Sequence, residues 1–268
     1  MSPDAPIPLA MDPYTPVEMA HRVEAGGVAK SALPLGPAFV LAVLAGAFVG
    51  LGALLSTIAG TDTGLGYGPT RLLAGAAFSL GLVLVVVGGA ELFTGNALLV
   101  MAWAEGKVGT QAVLRNWLVA YLGNFVGALA TAYGVYRSGV MGLGSGRVAA
   151  TAVALAQAKA ALGWEQAFLR GVFCNALVCL AVWLGFSART TTDRILCIVF
   201  PITAFVAAGF EHSIANFYFL PLGHWLGGGA GTAFGDCLRN LLAVTLGNLV
   251  GGALLVGACY WFIYLRKR

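Results

Sequence analysis

Charge is scarce in this sequence. Asp, Glu, Lys and Arg make up 10% of its 268 residues, against about 25% in soluble domains. A water-soluble globular protein is excluded on that ground. The few charges sum to +4 and sit mostly at loop ends and at the tail, so they report on topology and build no nucleic-acid-binding face. Cys174, Cys179, Cys197, Cys237 and Cys259 fall inside or beside apolar runs without metal-like pairing. They read as small buried hydrophobes, and neither a metal nor a cofactor is expected. No basic segment precedes a short apolar stretch at the start, so no cleavable leader is expected. Gly-x-Ser-x-Gly and His-Glu-x-x-His patterns are missing as well. The adjacent His212 and Ser213 cannot easily reach one substrate atom together, which argues against an intramembrane hydrolase and for a protein that is not an enzyme.

What the chain has is apolar length. Hydrophobic residues reach 59% and mean hydropathy is +0.86, the composition of an integral membrane protein. Its 38 glycines suit helices whose backbones approach closely within a bilayer. Residues 1–34 read as a proline-rich tail followed by an amphipathic helix, from Pro16 to Lys30, lying at the membrane surface. One transmembrane domain is expected over 35–265, with a short basic tail at 266–268. Its spans run from about Leu35 to Ala59, Leu72 to Trp103, Gln111 to Tyr136, Ala160 to Gly185, Arg194 to Leu226 and Asp236 to Tyr264. The second is interrupted around Gly88-Gly89-Ala90-Glu91-Leu92-Phe93-Thr94-Gly95-Asn96, which is poor material for a straight helix. The fifth is interrupted over Gly209 to Asn216. Six spans place both ends on one side. Basic residues at Lys107, Arg189, Arg194 and Arg266 put that side in the cytoplasm, with Arg137 and Arg147 counting weakly against it.

The stretch Gly209-Phe210-Glu211-His212-Ser213-Ile214-Ala215-Asn216-Phe217 sets a carboxylate, an imidazole, a hydroxyl and an amide inside membrane-grade sequence. Ionisable groups at bilayer depth tend to line a bundle interior or a watery path. The chain also repeats itself. Arg115-Asn116 and Leu122-Gly123-Asn124 return as Arg239-Asn240 and Leu246-Gly247-Asn248 at the same spacing, and Glu91 with Asn96 returns as Glu211 with Asn216. Two units, about 35–136 and 160–264, each hold an odd number of spans, so the second must enter from the opposite side. Broken spans at matching places in an inverted 3+3 repeat point to a site at the midplane.

These motifs resemble the formate/nitrite transporter family. The resemblance rests on Gly89-Ala90-Glu91-Leu92-Phe93-Thr94-Gly95-Asn96, on Arg170-Gly171-Val172-Phe173-Cys174-Asn175-Ala176-Leu177-Val178-Cys179, on Gly209 to Asn216 and on Leu246-Gly247-Asn248. It implies an all-α, aquaporin-like fold with spans two and five broken. It further implies a homopentamer in the inner (cytoplasmic) membrane, each protomer with its own pore. The Asn-Pro-Ala boxes of water channels are missing. By resemblance, His212 is the central histidine, Thr94 faces it and Asn175 lies nearby. Phe78, Phe205 and Leu92 correspond to an outer constriction, Leu82, Phe93 and Val178 to an inner one, and Lys159 to the outer funnel. The implied cargo is formate, with nitrite or hydrosulfide as alternatives, carried with or without a proton.

The chemistry fits those residue types. A bare anion entering an apolar constriction faces a desolvation cost idealised at tens of kcal/mol. Donors, half-helix N-termini or a proton can lower it, and histidine titrates near neutrality. Plainer roles stand beside these. His212 could be a satisfied core histidine, Thr94 could serve freed backbone, and Asn175 could join helices. Phe78, Phe205, Leu82 and Val178 would ordinarily be packing residues, and Lys159 an interfacial anchor. Glu91 and Glu211, with Asn96 and Asn216, are expected to cap the freed backbone at each break. A non-conducting scaffold would show a solid core.

Overall fold

The computed structural model describes residues 12–266, so the expectations for the extreme tail and for Lys267-Arg268 lie outside the described residues. The chain opens with α1 (Pro16–Ser31), started by a capping box between Thr15 and Glu18 with Pro16 at the first turn. Hydrogen bonds from Thr15 hold the Glu18 carboxyl below the usual carboxylate range. Its buried face, Met19, Ala20, Val23, Glu24 and Gly27, follows the helical period. That face packs on protein: a Cβ on Gly27 would meet the Ala102 methyl at 3.2 Å.

Among the described residues, six helices are long and apolar enough to cross a bilayer. They are α2 (Leu35–Ala59), α3 (Tyr67–Gly88), α5 (Thr110–Ser138), α7 (Trp164–Gly185), α8 (Thr191–Ala208) and the stretch from Phe234 to Tyr264. This last begins as α10 (Phe234–Leu249), widens into a π-helical stretch over Val250–Ala258, and ends as α11 (Cys259–Tyr264). After α3 the chain turns through a left-handed Gly89 and resumes as a 3₁₀ turn (Gly95–Leu99) leading into α4 (Val100–Ala104). After α8 it turns through a left-handed Gly209 and resumes as α9 (Ser213–Leu226). A positive φ at this place ends a helix at little cost only with glycine. The second helical resumption thus begins at Ser213, three residues before the expected end of the break.

One element is new relative to the sequence reading: Arg147–Ala160 forms α6, where a loop was expected. Its alanine-rich run favours helix strongly but is too short to span. The fourth span accordingly starts at Trp164 rather than Ala160.

Close approach of backbones holds the bundle together. A Cβ on Gly127 of α5 would overlap the Val43 carbonyl of α2, and one on Gly251 would overlap the Val172 carbonyl of α7. The α1 helix, the turns after α4 and α7, and α11 meet at one end. There Tyr14 N donates to Ser187 O, Lys107 pairs with Glu24 at 2.8 Å, and Trp261 Nε1 donates to Glu105. At the opposite end Arg147 pairs with Asp62, and Gln157 donates to Ala230 O.

Candidate functional site

The two breaks are held by the same set of hydrogen bonds. At the first, Asn124 Oδ1 accepts from Phe93 N at 2.9 Å, while its amide nitrogen donates to Ala42 O and Glu91 O. At the second, Asn248 Oδ1 accepts from Ser213 N at 2.9 Å, and its nitrogen donates to Gly171 O and Glu211 O. Both asparagines are fully buried.

Around each brace lies a matching charged cluster. Lys30 donates to Glu91 at 2.7 Å, Asn96 Nδ2 donates to Glu91 and to Asn116, and Asn116 donates to Lys30 O. Lys159 donates to Glu211 at 2.9 Å, Asn216 Nδ2 donates to Glu211 and to Asn240, and Asn240 donates to Lys159 O. The carboxylates therefore take lysine and asparagine side chains. The freed backbone is served by Asn124 and Asn248, which corrects the capping role expected of Glu91 and Glu211. Lys30, Asn116, Asn124, Asn240 and Asn248 are thus site residues to which sequence reasoning assigned no role. The duplicated Arg-Asn and Leu-Gly-Asn motifs were the signal for all but Lys30. Removing one partner of a buried pair is costly because it strands the other charge. Lys159→Met is expected to destabilise the protein by about 3–5 kcal/mol. Adding Glu211→Gln should recover most of that loss, as thermal unfolding of the purified variants would show.

His212 is the N-cap of α9. Its Nδ1 accepts from Ala215 N at 3.1 Å, and its Nε2 lies 2.9 Å from Thr94 Oγ1. Since Nδ1 already accepts a backbone N–H, the neutral ring carries its proton on Nε2 and donates to the threonine oxygen. The Thr94 hydroxyl proton is left to donate elsewhere. Asn175 acts one step behind: its Nδ2 donates to Thr94 O at 3.2 Å and to Asn248 O at 2.7 Å. Phe205 stacks against the imidazole at 6.0 Å and meets Phe78 edge-on at 5.5 Å. By the hydrogen-bond correspondence Leu92 occupies the place of His212, and Ile214 that of Thr94.

Two cavities approach this pair. One of about 370 Å³ is bordered by Phe78, Phe205, His212, Lys159 and Glu211 among others. The second, about 330 Å³, is bordered by Leu82, Leu92, Lys30, Glu91 and Asn96 among others. Leu92, expected with the phenylalanines, thus lies on the second cavity beside Leu82. Phe93, Val178, Thr94 and Asn175 border neither; they are buried in the partition and its supports. Phe78 and Leu82, one on the wall of each cavity, stand four residues apart on α3, about 6 Å of rise at 1.5 Å per residue.

Six long apolar helices among the described residues, with two cavities near a buried polar pair, fit a multi-pass membrane protein of the transport class. Residues 17–262 match the formate/nitrite transporter family, and the chain belongs to it. A probable formate transporter of Methanothermobacter thermautotrophicus is 39% identical over 270 residues, covering 94% of this chain and 98% of the relative. The formate channel FocA of Escherichia coli (strain K12) is 37% identical, covering 100% of this chain and 99% of its own. A solved pentameric formate channel with formate bound superposes with a TM-score of 0.80 at 38% identity, over 87% of this chain and 98% of that one. An FNT family ion channel superposes at 0.82 with 31% identity, over 92% and 98%.

Proposed function

We propose that this protein is a channel for small monovalent anions, formate foremost, in which His212 and Thr94 form the polar step between two hydrophobic constrictions. The observation that supports this reading is the buried His212–Thr94 pair, with His212 on the wall of one cavity and Leu92, two residues from Thr94, on the wall of the other. An anion leaving the outer cavity passes Phe78 and Phe205, whose rings exclude its hydration shell. The Thr94 hydroxyl, polarised by the Nε2–H of His212, then donates to it, and the N-terminus of α9 adds a favourable dipole. Asn175 fixes the Thr94 backbone for this step. Leu82 and Leu92 admit the ion to the inner cavity, and Phe93 and Val178 back that wall.

The membrane domain runs over 35–265, with α1 clamped beneath it. Its two halves form an inverted repeat, a reading supported by the odd number of spans in each and by the matched clusters around Asn124 and Asn248. Those matches begin at Lys30 and Lys159, so each unit starts with its short helix, α1 or α6. The protein assembles as a homopentamer in the lipid bilayer of the cytoplasmic membrane, each protomer with its own pore, and α1 and α11 face the cytoplasm. A proton accompanies the anion in one mode of transport.

The test is flux into proteoliposomes for formate, nitrite and hydrosulfide. Formate entry well above protein-free vesicles is expected, faster with an inward proton gradient. Entry of nitrite or hydrosulfide alone would shift the assignment within the family. No entry of any of the three through folded, inserted protein would leave the scaffold reading.

A further inference from the structure

Four charged side chains stand on the wall of the outer cavity: Arg71, Lys159, Arg170 and Glu211. Lys159 and Glu211 offset one another at 2.9 Å. Neither arginine has a carboxylate within salt-bridge distance among the described residues. Both grip the C-terminal end of α8 instead. Arg71 Nε donates to Ala207 O at 3.2 Å and its Nη2 donates to Val206 O, while Arg170 Nη1 donates to Gly209 O at 3.4 Å. The two guanidiniums flank Gly209, where an added Cβ would sit 3.5 Å from Arg71 Nη2 and 4.0 Å from Arg170 Nη1.

A helix C-terminus carries roughly half a negative charge, which offsets only part of two full positive ones. The carbonyls also occupy a minority of the five N–H donors on each guanidinium, so donors remain for a ligand. The unbalanced positive charge of this cavity therefore resides on Arg71 and Arg170 and not on Lys159. The inner cavity has a like pair, Lys30–Glu91 at 2.7 Å, but one further charged side chain on its wall, Arg194, where the outer cavity has two.

We propose that Arg71 and Arg170 are the anion-collecting station of the outer cavity, holding a small carboxylate or oxyanion of like size on its way to His212. Planar forks suit a planar carboxylate. Their attachment to the end of α8, which carries Phe205, puts them on the same cavity wall as Phe78, Phe205 and His212. The inference rests on the channel reading and assigns its outer binding step.

The test uses the full chain in proteoliposomes, with formate uptake measured against formate concentration at low and high KCl. For the parent, uptake at sub-saturating formate should fall several-fold as KCl rises from about 20 to about 500 mM, because screening weakens collection by an open cavity. Arg71→Gln/Arg170→Gln should raise the half-saturating concentration by about tenfold, leave the saturating rate within about twofold and lose most of the salt response. Arg71→Lys/Arg170→Lys keeps the charge but loses the planar forks, so its half-saturating concentration should fall between those of the parent and the glutamine variant. Arg170→Gln alone, which gives up one long contact, should shift half-saturation by about threefold and guards against misfolding of the double variant. An unaltered half-saturation and salt response in the glutamine variants would overturn the proposal. So would a lysine variant as impaired as the glutamine one, since the arginines would then act only as ends for α8. A parent whose uptake ignores salt would overturn it without any variant. A parent that carries no formate would instead sink the channel reading.

Discussion

His212→Asn is expected to lower formate flux by about thirtyfold while the fold stands. One side chain does two separable jobs. As N-cap of α9, His212 supplies an acceptor to Ala215 N, and asparagine is among the best residues for that task. As partner of Thr94 it supplies the Nε2–H, which asparagine at this site is too short to replace. A hydrogen bond that acts on a charged partner is worth about 1.5–3 kcal/mol, and 1.36 kcal/mol is tenfold in rate. Thermal unfolding should therefore barely move while flux collapses. Thr94→Val should do similar damage, and the double variant should be little worse than either single one, since the pair acts as a unit. Flux of His212→Asn equal to the parent's, in protein that unfolds normally, would reduce the ring to a helix cap.

The largest loss of stability is expected for Asn248→Leu. That replacement is close in size but strands Ser213 N and Glu211 O and takes the second hydrogen bond from Gly171 O, which keeps its partner within α7. Each buried group left without a partner costs about 1–3 kcal/mol, and bilayer depth offers no water to replace the amide. Two stranded groups, with about 0.5–1.5 kcal/mol for the bond lost at Gly171 O, sum to about 2.5–7.5 kcal/mol, set against a typical total stability of about 5–15 kcal/mol. The protein should be recovered poorly and melt many degrees early. Asn124→Leu should cost a comparable amount, because Phe93 N and Glu91 O are stranded in the same way and Ala42 O loses its second hydrogen bond. Asn248→Asp, which retains the acceptor and forfeits the donors, should fall between. A Leu variant melting beside the parent would show that the breaks are braced by something other than these amides.

Much of this design was readable in the residues. Long apolar runs announced the spans, and glycine beside glutamate inside them announced where α3 and α8 would end. The doubled Leu-Gly-Asn told that Asn124 and Asn248 were equivalent, yet not what they held, because their partners come from segments far along the chain. Lys30 escaped notice for the same reason: its role depends on α1 folding under the bundle to reach Glu91, and an amphipathic pattern does not say whether lipid or protein covers its apolar face. The α6 helix was missed because hydropathy registers spans and overlooks a short alanine-rich helix. Leu92 was assigned to the outer constriction by resemblance. The turn at Gly89 carries it to the other cavity, a matter of loop geometry that no periodicity encodes. Arg170 donates to a backbone carbonyl, Gly209 O, a partner that no sequence motif marks.

The two halves are built on one plan but differ at a pair of positions: leucine and threonine in the first, histidine and isoleucine in the second, in matching places. Had both halves kept the same residues, the passage would contain either two imidazoles or none, and it would look alike from either end. The exchange leaves one ring from one half facing one hydroxyl from the other. On the channel reading proposed above, the path past this pair would then present different chemistry from its two ends.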